Sequence, residues 1–280
     1  MAEHIKHMKD GIYEKVMSKE FADRLMEAIE AKKVWAERDD ADAYEATGYL
    51  SSYLEKLIRL CLKDIADRNT EAVLSDEIEL TNQLVEMLAE RLPDLGHGHS
   101  VVKNQFLLKS LEHVANKTSP RKWESPDTSL TKSFLFTNSH NDTSMVSELR
   151  KEIMSADRID FLVSFIRFSG LALLLPYLRD FTNKGGHLRV ITTTYMGATD
   201  PKAVVELAKL PNTEIHISYN VKETRLHAKS YIFHRDSQFS TAYIGSSNLS
   251  HAAIAEGLEW NMKITEQDMP SIMEKNDGYF

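Results

Sequence analysis

The sequence predicts an α/β domain, its sheet covered by helices on both faces, preceded by an N-terminal helical domain. Three observations predict it. Over residues 1–117 apolar residues recur at spacings of three and four, the period of amphipathic helices. Residues 118–130 form a linker, opening on T-S-P-R-K-W-E-S-P-D, where two prolines and two serines break any pattern. Over residues 131–280 short apolar runs alternate with helical stretches, as in a sheet built from βαβ units.

In the N-terminal part, Val16, Phe21, Leu25, Met26 and Ile29 predict a helix over 13–37, broken at Asp39-Asp40. A second helix over 43–66 carries Tyr49, Leu50, Tyr53, Leu54, Leu57, Ile58 and Cys61 as its stripe, with Glu55 and Arg59 paired on the polar side. On that stripe Cys61 reads as a small buried hydrophobe. Asp76 is placed to cap a third helix, which Pro93 ends. These helices predict a bundle that serves as a docking or interface element. The loop His97-Gly98-His99, with His113 beyond it, lacks the regular spacing that aligns metal ligands and reads as a polar loop.

In the C-terminal part, Phe134–Phe136 is a short strand, and residues 139–142 cap a helix through Met154 with Met145, Leu149 and Ile153 on one side. Residues 159–165 form a near-continuous apolar strand, as expected where both sheet faces are covered. A helix over 170–181 contains Pro176 and closes at Gly185-Gly186. The strand 188–191 runs out into Thr192-Thr193-Thr194-Tyr195, and Asp200-Pro201 opens a helix through Leu210. Another strand covers 213–217. Residues 226–233 alternate as a two-faced strand, so His227 and Lys229 share a side. The run 242–244 stops at Gly245-Ser246-Ser247-Asn248, helix formers occupy 252–256, and a last strand-like run carries Glu259. Ligands of such sheets gather where strands end.

Composition narrows the function. The 280 residues are 42% hydrophobic and 27% charged, an ordinary soluble composition. The longest apolar runs, such as 171–175, fall far short of a membrane span, and no signal-peptide pattern opens the chain. A single cysteine excludes an intrachain disulfide and fits a reducing cytoplasm. No membrane partner is expected. The formal charge of −8 argues against coating DNA non-specifically, because such binding rests on phosphate neutralisation by Lys and Arg. Any contact with nucleic acid is therefore local, with Arg167, Lys222, Arg225, Lys229 and Arg235 as the candidate cations.

An imidazole, an ammonium, a hydroxyl and a carboxamide on neighbouring strand ends suit a tetrahedral oxyanion. Lys229 supplies charge and three donors, while Ser246 and Asn248 donate with fixed direction. His227 is the group able to attack or exchange a proton near neutral pH. Lys229 would repel a divalent ion, so neither metal nor cofactor is expected. Ser164, Ile166 and Arg167 lie past one strand end and Thr193, Thr194 and Tyr195 past another. Of these, Arg167 and Thr193, with Arg225, are candidates for a flanking phosphate, the alternative being that the threonine hydroxyls cap the next turn.

These residues resemble a known family. H-A-K at 227–229 followed by G-S-S-N at 245–248 is similar to the phospholipase D superfamily signature, HxKxxxxD followed by GSxN. The closest resemblance is to the nuclease modules found beside DEAD/DEAH-box helicase domains in restriction and defence proteins. It implies an α/β phospholipase D-like domain with a mixed sheet. It also implies a metal-independent phosphodiesterase, a DNA endonuclease working through a phosphohistidine. By that resemblance His227 is the nucleophile, Lys229 and Asn248 bind phosphate oxygens, Ser246 orients the site, and Glu259, eleven residues after Asn248, orients the histidine. The chain departs from the pattern at the motif aspartate: that slot holds His234, and the next acid is Asp236. His4-Ile5-Lys6 and His7-Met8-Lys9 also fit HxK but have no GSxN downstream. The family mechanism uses two histidine motifs, and one complete copy here implies a homodimer. The resemblance and the chain's last residues, 276–280, read as the N-terminal piece of a longer protein with C-terminal helicase domains; no G-x-x-x-x-G-K-[ST] loop occurs in these residues. The competing class is a decayed module that keeps the fold and binds DNA or dimerises without cutting.

Overall fold

A computed structural model describes residues 12–38, 40, 42–68, 71–92, 97–105, 107–112, 124–137, 139, 143–220 and 226–278. The chain divides into two compact units, Met1–Leu111 and Glu112–Phe280.

In the first unit, α1 (Lys19–Glu30) starts where the Ser18 hydroxyl accepts the Phe21 N–H at 3.3 Å, later than its apolar period suggested. It ends at Ala31, after which Lys32 turns to a positive φ of 52°. Helices α2 (Ala43–Asp67) and α3 (Val73–Ala89) pack together. Asp76 lies inside the first turn of α3 and the cap position is Ala72; the acid still complements the positive helix end there. Cys61 is exposed, which corrects the reading of it as buried. Leu50, Leu54, Leu57 and Ile58 stay at least 40% exposed with it, because one partner helix covers only one edge of so broad a stripe. Residues His97–His99 form a single 3-10 turn. The loop after it is tied to α3 by Asn82, which donates to the Val101 carbonyl at 3.1 Å and accepts its N–H at 2.7 Å. His113 and the linker's Trp123 lie outside the described residues.

The second unit is a seven-stranded mixed sheet. Its strands are β1 (Phe134–Phe136), β2 (Arg158–Val163), β3 (His187–Thr193), β4 (Thr213–Ser218), β5 (Lys229–His234), β6 (Thr241–Gly245) and β7 (Asn261–Thr265), in the order β1-β7-β6-β5-β2-β3-β4. β2, β3 and β4 are parallel, joined through helices, and the remaining pairs are antiparallel. Against one face lie α4 (Met145–Ser155), α5 (Phe168–Asn183) and α6 (Pro201–Ala208). Met145, Leu149 and Ile153 of α4 are fully buried there with Phe136, Phe161, Phe233 and Tyr243. The other face is covered by α7 (Pro270–Asp277), whose Met273 packs on Ile232, Ala242 and Ile264. The sequence reading missed α7, whose short helix has little amphipathic period. The helix expected over 252–256 is one π-helical turn.

The main core is not wholly apolar. Glu148 and Glu152 on α4 are fully buried with Lys263 of β7, whose Nζ lies 3.1 Å and 3.0 Å from the two carboxylates. Arg235 reaches Glu152 at 2.5 Å, and the Tyr243 hydroxyl donates to Glu152 at 2.7 Å. Burial opposes ionisation of Glu152, but Arg235 and Lys263 overcome it and hold its pKa below the usual range. Glu148 also accepts the N–H groups of Asp127 at 2.7 Å and Thr128 at 3.2 Å, tying the incoming chain to the sheet. Arg235 is thus a core cation, which removes it from the candidate DNA contacts.

Strand directions bring one set of ends together. β2, β3, β4 and β6 finish at the edge where β5 and β7 begin. That edge receives the residues just past β2, before β5, past β6 and before β7.

Candidate active site

His227 sits two residues ahead of the first pair of β5, in extended chain, and is exposed. Lys229 opens the strand opposite Val163 of β2 and is 7% exposed. Its Nζ lies 3.1 Å from each ring nitrogen of His227 and donates to the His227 carbonyl at 2.8 Å. The two residues touch as expected, but β5 begins only at Lys229, so His227 lies ahead of the strand the alternation predicted. Burial lowers the Lys229 pKa, and the nearby Glu259 carboxylate opposes that shift.

The turn after β6 is shaped by Gly245. A Cβ at this position would lie 2.1 Å from the Trp260 carbonyl oxygen, so only glycine lets β6 run this close to β7. The approach seats Ser246 against the opposing backbone. Its N–H donates to the Trp260 carbonyl at 3.0 Å, and its hydroxyl accepts the Trp260 N–H at 3.2 Å. The same hydroxyl donates to the Glu259 carboxylate. Ser247 is buried, bonded to Asn261 Nδ2 at 2.7 Å, and its carbonyl accepts the Tyr231 hydroxyl at 3.0 Å. Asn248 is 8% exposed and accepts the Phe165 N–H at 3.1 Å through Oδ1, which leaves its amide protons without a partner among the described residues.

A second tie fixes this loop to the end of β2. Ile166 and Leu249 form a parallel bridge, and the Arg167 N–H donates to the Leu249 carbonyl at 2.8 Å. Gly170, at the start of α5, packs so tightly on Ser250 that a Cβ would come within 2.5 Å of its backbone. The loop is therefore braced from both sides.

His227, Lys229, Ser246, Asn248 and Glu259 thus all lie at one edge of the sheet. Glu259 takes the Ser246 hydroxyl rather than the His227 ring, so the expected contact that would orient the imidazole is not made in this conformation; its carboxylate acts on the Lys229 ammonium instead. Arg167 is half-exposed and paired with Asp200 at 2.9 Å. Thr193 is fully buried; its hydroxyl donates to the Ser218 carbonyl at 3.0 Å and accepts the Tyr195 N–H at 3.1 Å, the turn-capping arrangement. Arg225 and Lys222 lie outside the described residues.

His234, in the slot of the motif aspartate, lies at the far end of β5. Its Nε2 is 2.8 Å from Asp160 of β2, and Arg189 holds the same carboxylate through two contacts of 2.6 Å. Arg158 links His234 at 3.0 Å to Asp277 of α7 at 2.9 Å. Burial alone would raise the Asp160 pKa, but the bonds from Arg189 and His234 prevail and hold it at about 2. Among the described residues, Asp160, His234 and Asp277 are the one grouping with metal-ligand spacing. Two arginines already neutralise it, so it reads as a structural clamp.

Residues 146–276, a span that includes His227, Lys229, Ser246, Asn248 and Glu259, match the profile of the NgoFVII restriction endonuclease N-terminal PLD domain. That match places this segment among the phospholipase D superfamily nuclease modules. The phospholipase D module is similar in solved structures to NucT from Helicobacter pylori, at 21% identity over 53% of this chain and 92% of that one, with a TM-score of 0.41. It is also similar to Nuc from Salmonella typhimurium, a phospholipase D family member, at 19% identity over 47% and 80% with a TM-score of 0.35. A third similar structure is the polyphosphate kinase of Porphyromonas gingivalis, at 13% identity over 52% and 26% with a TM-score of 0.37. No curated protein matches the chain. No described helix is long and apolar enough to cross a membrane.

Proposed function

We propose that the phospholipase D module cleaves DNA phosphodiesters without a metal, through a phosphohistidine on His227, in a site completed by a second copy of the chain. The observation that carries this reading is the buried ammonium of Lys229 set 3.1 Å from an exposed imidazole. Lysine donates but cannot accept, so the ring nitrogen facing it carries a lone pair. An arriving phosphate offers Lys229 charged acceptors in place of the ring, and frees that lone pair for phosphorus.

His227 attacks, an N–P bond forms and the P–O bond to the leaving strand breaks. The leaving oxygen takes its proton from His227 of the second copy. That second imidazole then removes a proton from water, whose oxygen displaces His227 and restores both rings. Lys229 and the free Asn248 amide face the charge that builds on the equatorial oxygens. At 4 Å and an effective dielectric of 20, one such lysine contributes about 4 kcal/mol of attraction. Arg167 can exchange its exposed pair with Asp200, worth about 0–1 kcal/mol, for a neighbouring phosphate. At Thr193 a phosphate would have to displace two bonds already made, so its contribution is to shape the loop.

The need for a second copy is supported by the single H-A-K…GSSN set in the sequence. A two-fold pairing places two equivalent histidines across one groove. A cytoplasmic setting and attached helicase domains belong to the same reading and rest on the cysteine count and the family resemblance. The test is incubation of supercoiled plasmid with the protein in EDTA. Nicking that is absent with His227→Ala is the expected result. Strict dependence on added magnesium, or nicking retained in the variant, overturns the mechanism.

A further inference from the structure

Trp260 follows Glu259 directly and lies opposite Ser246, held there through its backbone. Its indole is 67% exposed, and Leu258 on the other side of Glu259 is 80% exposed. Tyr219 after β4 and Phe239 between β5 and β6 are exposed as well, but among the described residues only Trp260 adjoins a site residue in the chain, following Glu259 directly. Its backbone, by contrast, is among the best anchored in the site. The N–H donates to the Ser246 hydroxyl at 3.2 Å, and the carbonyl accepts the Ser246 N–H at 3.0 Å. The adjoining Asn261 is buried and bonded to Ser247. Gly245, which cannot carry a Cβ beneath the Trp260 carbonyl, keeps the two strands in that register.

A large apolar ring exposed to water, on backbone hydrogen-bonded to Ser246 two residues before the Asn248 carboxamide, has a specific use. We infer that Trp260 is a stacking platform for an unpaired base next to the scissile phosphate, so that the module acts on single-stranded or frayed nucleic acid. This rests on the nuclease reading above and names the form of its substrate. Every base has a π-face, so such a platform selects strand form rather than sequence. A base inside a duplex is already stacked on its neighbours and cannot use the ring. The opposing possibility is a contact between copies of the chain, since Met262 shares the face of β7 with Trp260 and is itself 40% exposed. Trp260 differs from Met262 in lying beyond the strand, at the mouth where Glu259 meets Ser246.

The experiment compares wild type, Trp260→Ala and Trp260→Phe on a single-stranded oligodeoxynucleotide and on bis(p-nitrophenyl) phosphate, with sedimentation of each protein. For Trp260→Ala the KM on the oligonucleotide should rise at least about fivefold, the lower edge of one base–aromatic stack. Its kcat/KM on the small diester should stay unchanged, and Trp260→Phe should recover most of the loss. An unchanged KM, an equal loss on both substrates, or a change in sedimenting mass overturns the inference. If wild type cleaves neither substrate, the nuclease reading fails by itself. Stacking is then judged from anisotropy of the labelled oligonucleotide: weaker binding by Trp260→Ala supports it, and equal binding overturns it.

Discussion

The Nε2 atom of His234 lies 2.8 Å from Asp160, so the carboxylate absent from the strand of His227 stands on the strand beside it. The motif position and its neighbour have exchanged chemistry. The H-A-K strand keeps an anchor at its far end, where His234, Asp160, Arg189 and Arg158 join β5 to β2 and α7.

Restoring the motif residue alone should therefore do harm. His234→Asp places a second carboxylate against buried Asp160 and should cost about 1–3 kcal/mol through an unpaired buried charge. The double change His234→Asp with Asp160→His should recover most of it. Urea melts of the three variants check this; a stable His234→Asp would mean that the clamp contributes nothing.

Glu259 should be felt in the pH dependence of the rate. Burial lowers the Lys229 pKa and the Glu259 carboxylate raises it. Removing that charge with Glu259→Gln should lower the Lys229 pKa further, so the ammonium is lost at lower pH. The alkaline limb of the kcat/KM profile should move toward acid, and an unchanged profile would separate Glu259 from the site.

Mixing subunits tests whether the site is shared. With random exchange between equal amounts of wild type and His227→Ala, activity should fall to about one quarter, the share of all-wild-type pairs. A value near one half would mean that each subunit works by itself.

The buried ion network should dominate stability. Lys263→Met leaves Glu148 and Glu152 with one fewer buried cation, and breaking such a set costs about 3–5 kcal/mol. Denaturant unfolding measures it, and a loss under about 1 kcal/mol would contradict the assignment.

Acid should weaken the fold through Asp160. Its folded pKa, about 2, lies below its unfolded value, so its contribution is complete above the ordinary carboxylate range. That contribution is lost as pH falls from about 4 toward the folded value. The Tm of wild type should drop over this window, and Asp160→Asn, with nothing to protonate there, should drop less.

Much of this was legible in residue order, and the reasons are local. Alternation by two places His227 and Lys229 on one side of a strand, and the structure has them in contact. Gly245 ends the apolar run 242–244 as residue order suggests, although what demands glycine there is the opposing Trp260 carbonyl rather than a sharp turn. The order of strands and helices through β7 was legible for the same reason, since each is set by its own period, whereas α7 has little period to mark it.

Other features depend on residues far apart in the chain. Arg235 looks like a surface cation near the motif until β5, β6 and α4 meet and enclose it against Glu152. Glu148 and Lys263 are 115 residues apart, and no period in either neighbourhood marks them as partners. The aspartate that seems lost reappears as Asp160 only once β2 lies beside β5. Chain order settles what each segment can be, because backbone period and side-chain type act over a few residues. Which charges neutralise one another is settled by packing, because a buried ion is tolerable only next to a counter-ion that the fold brings to it.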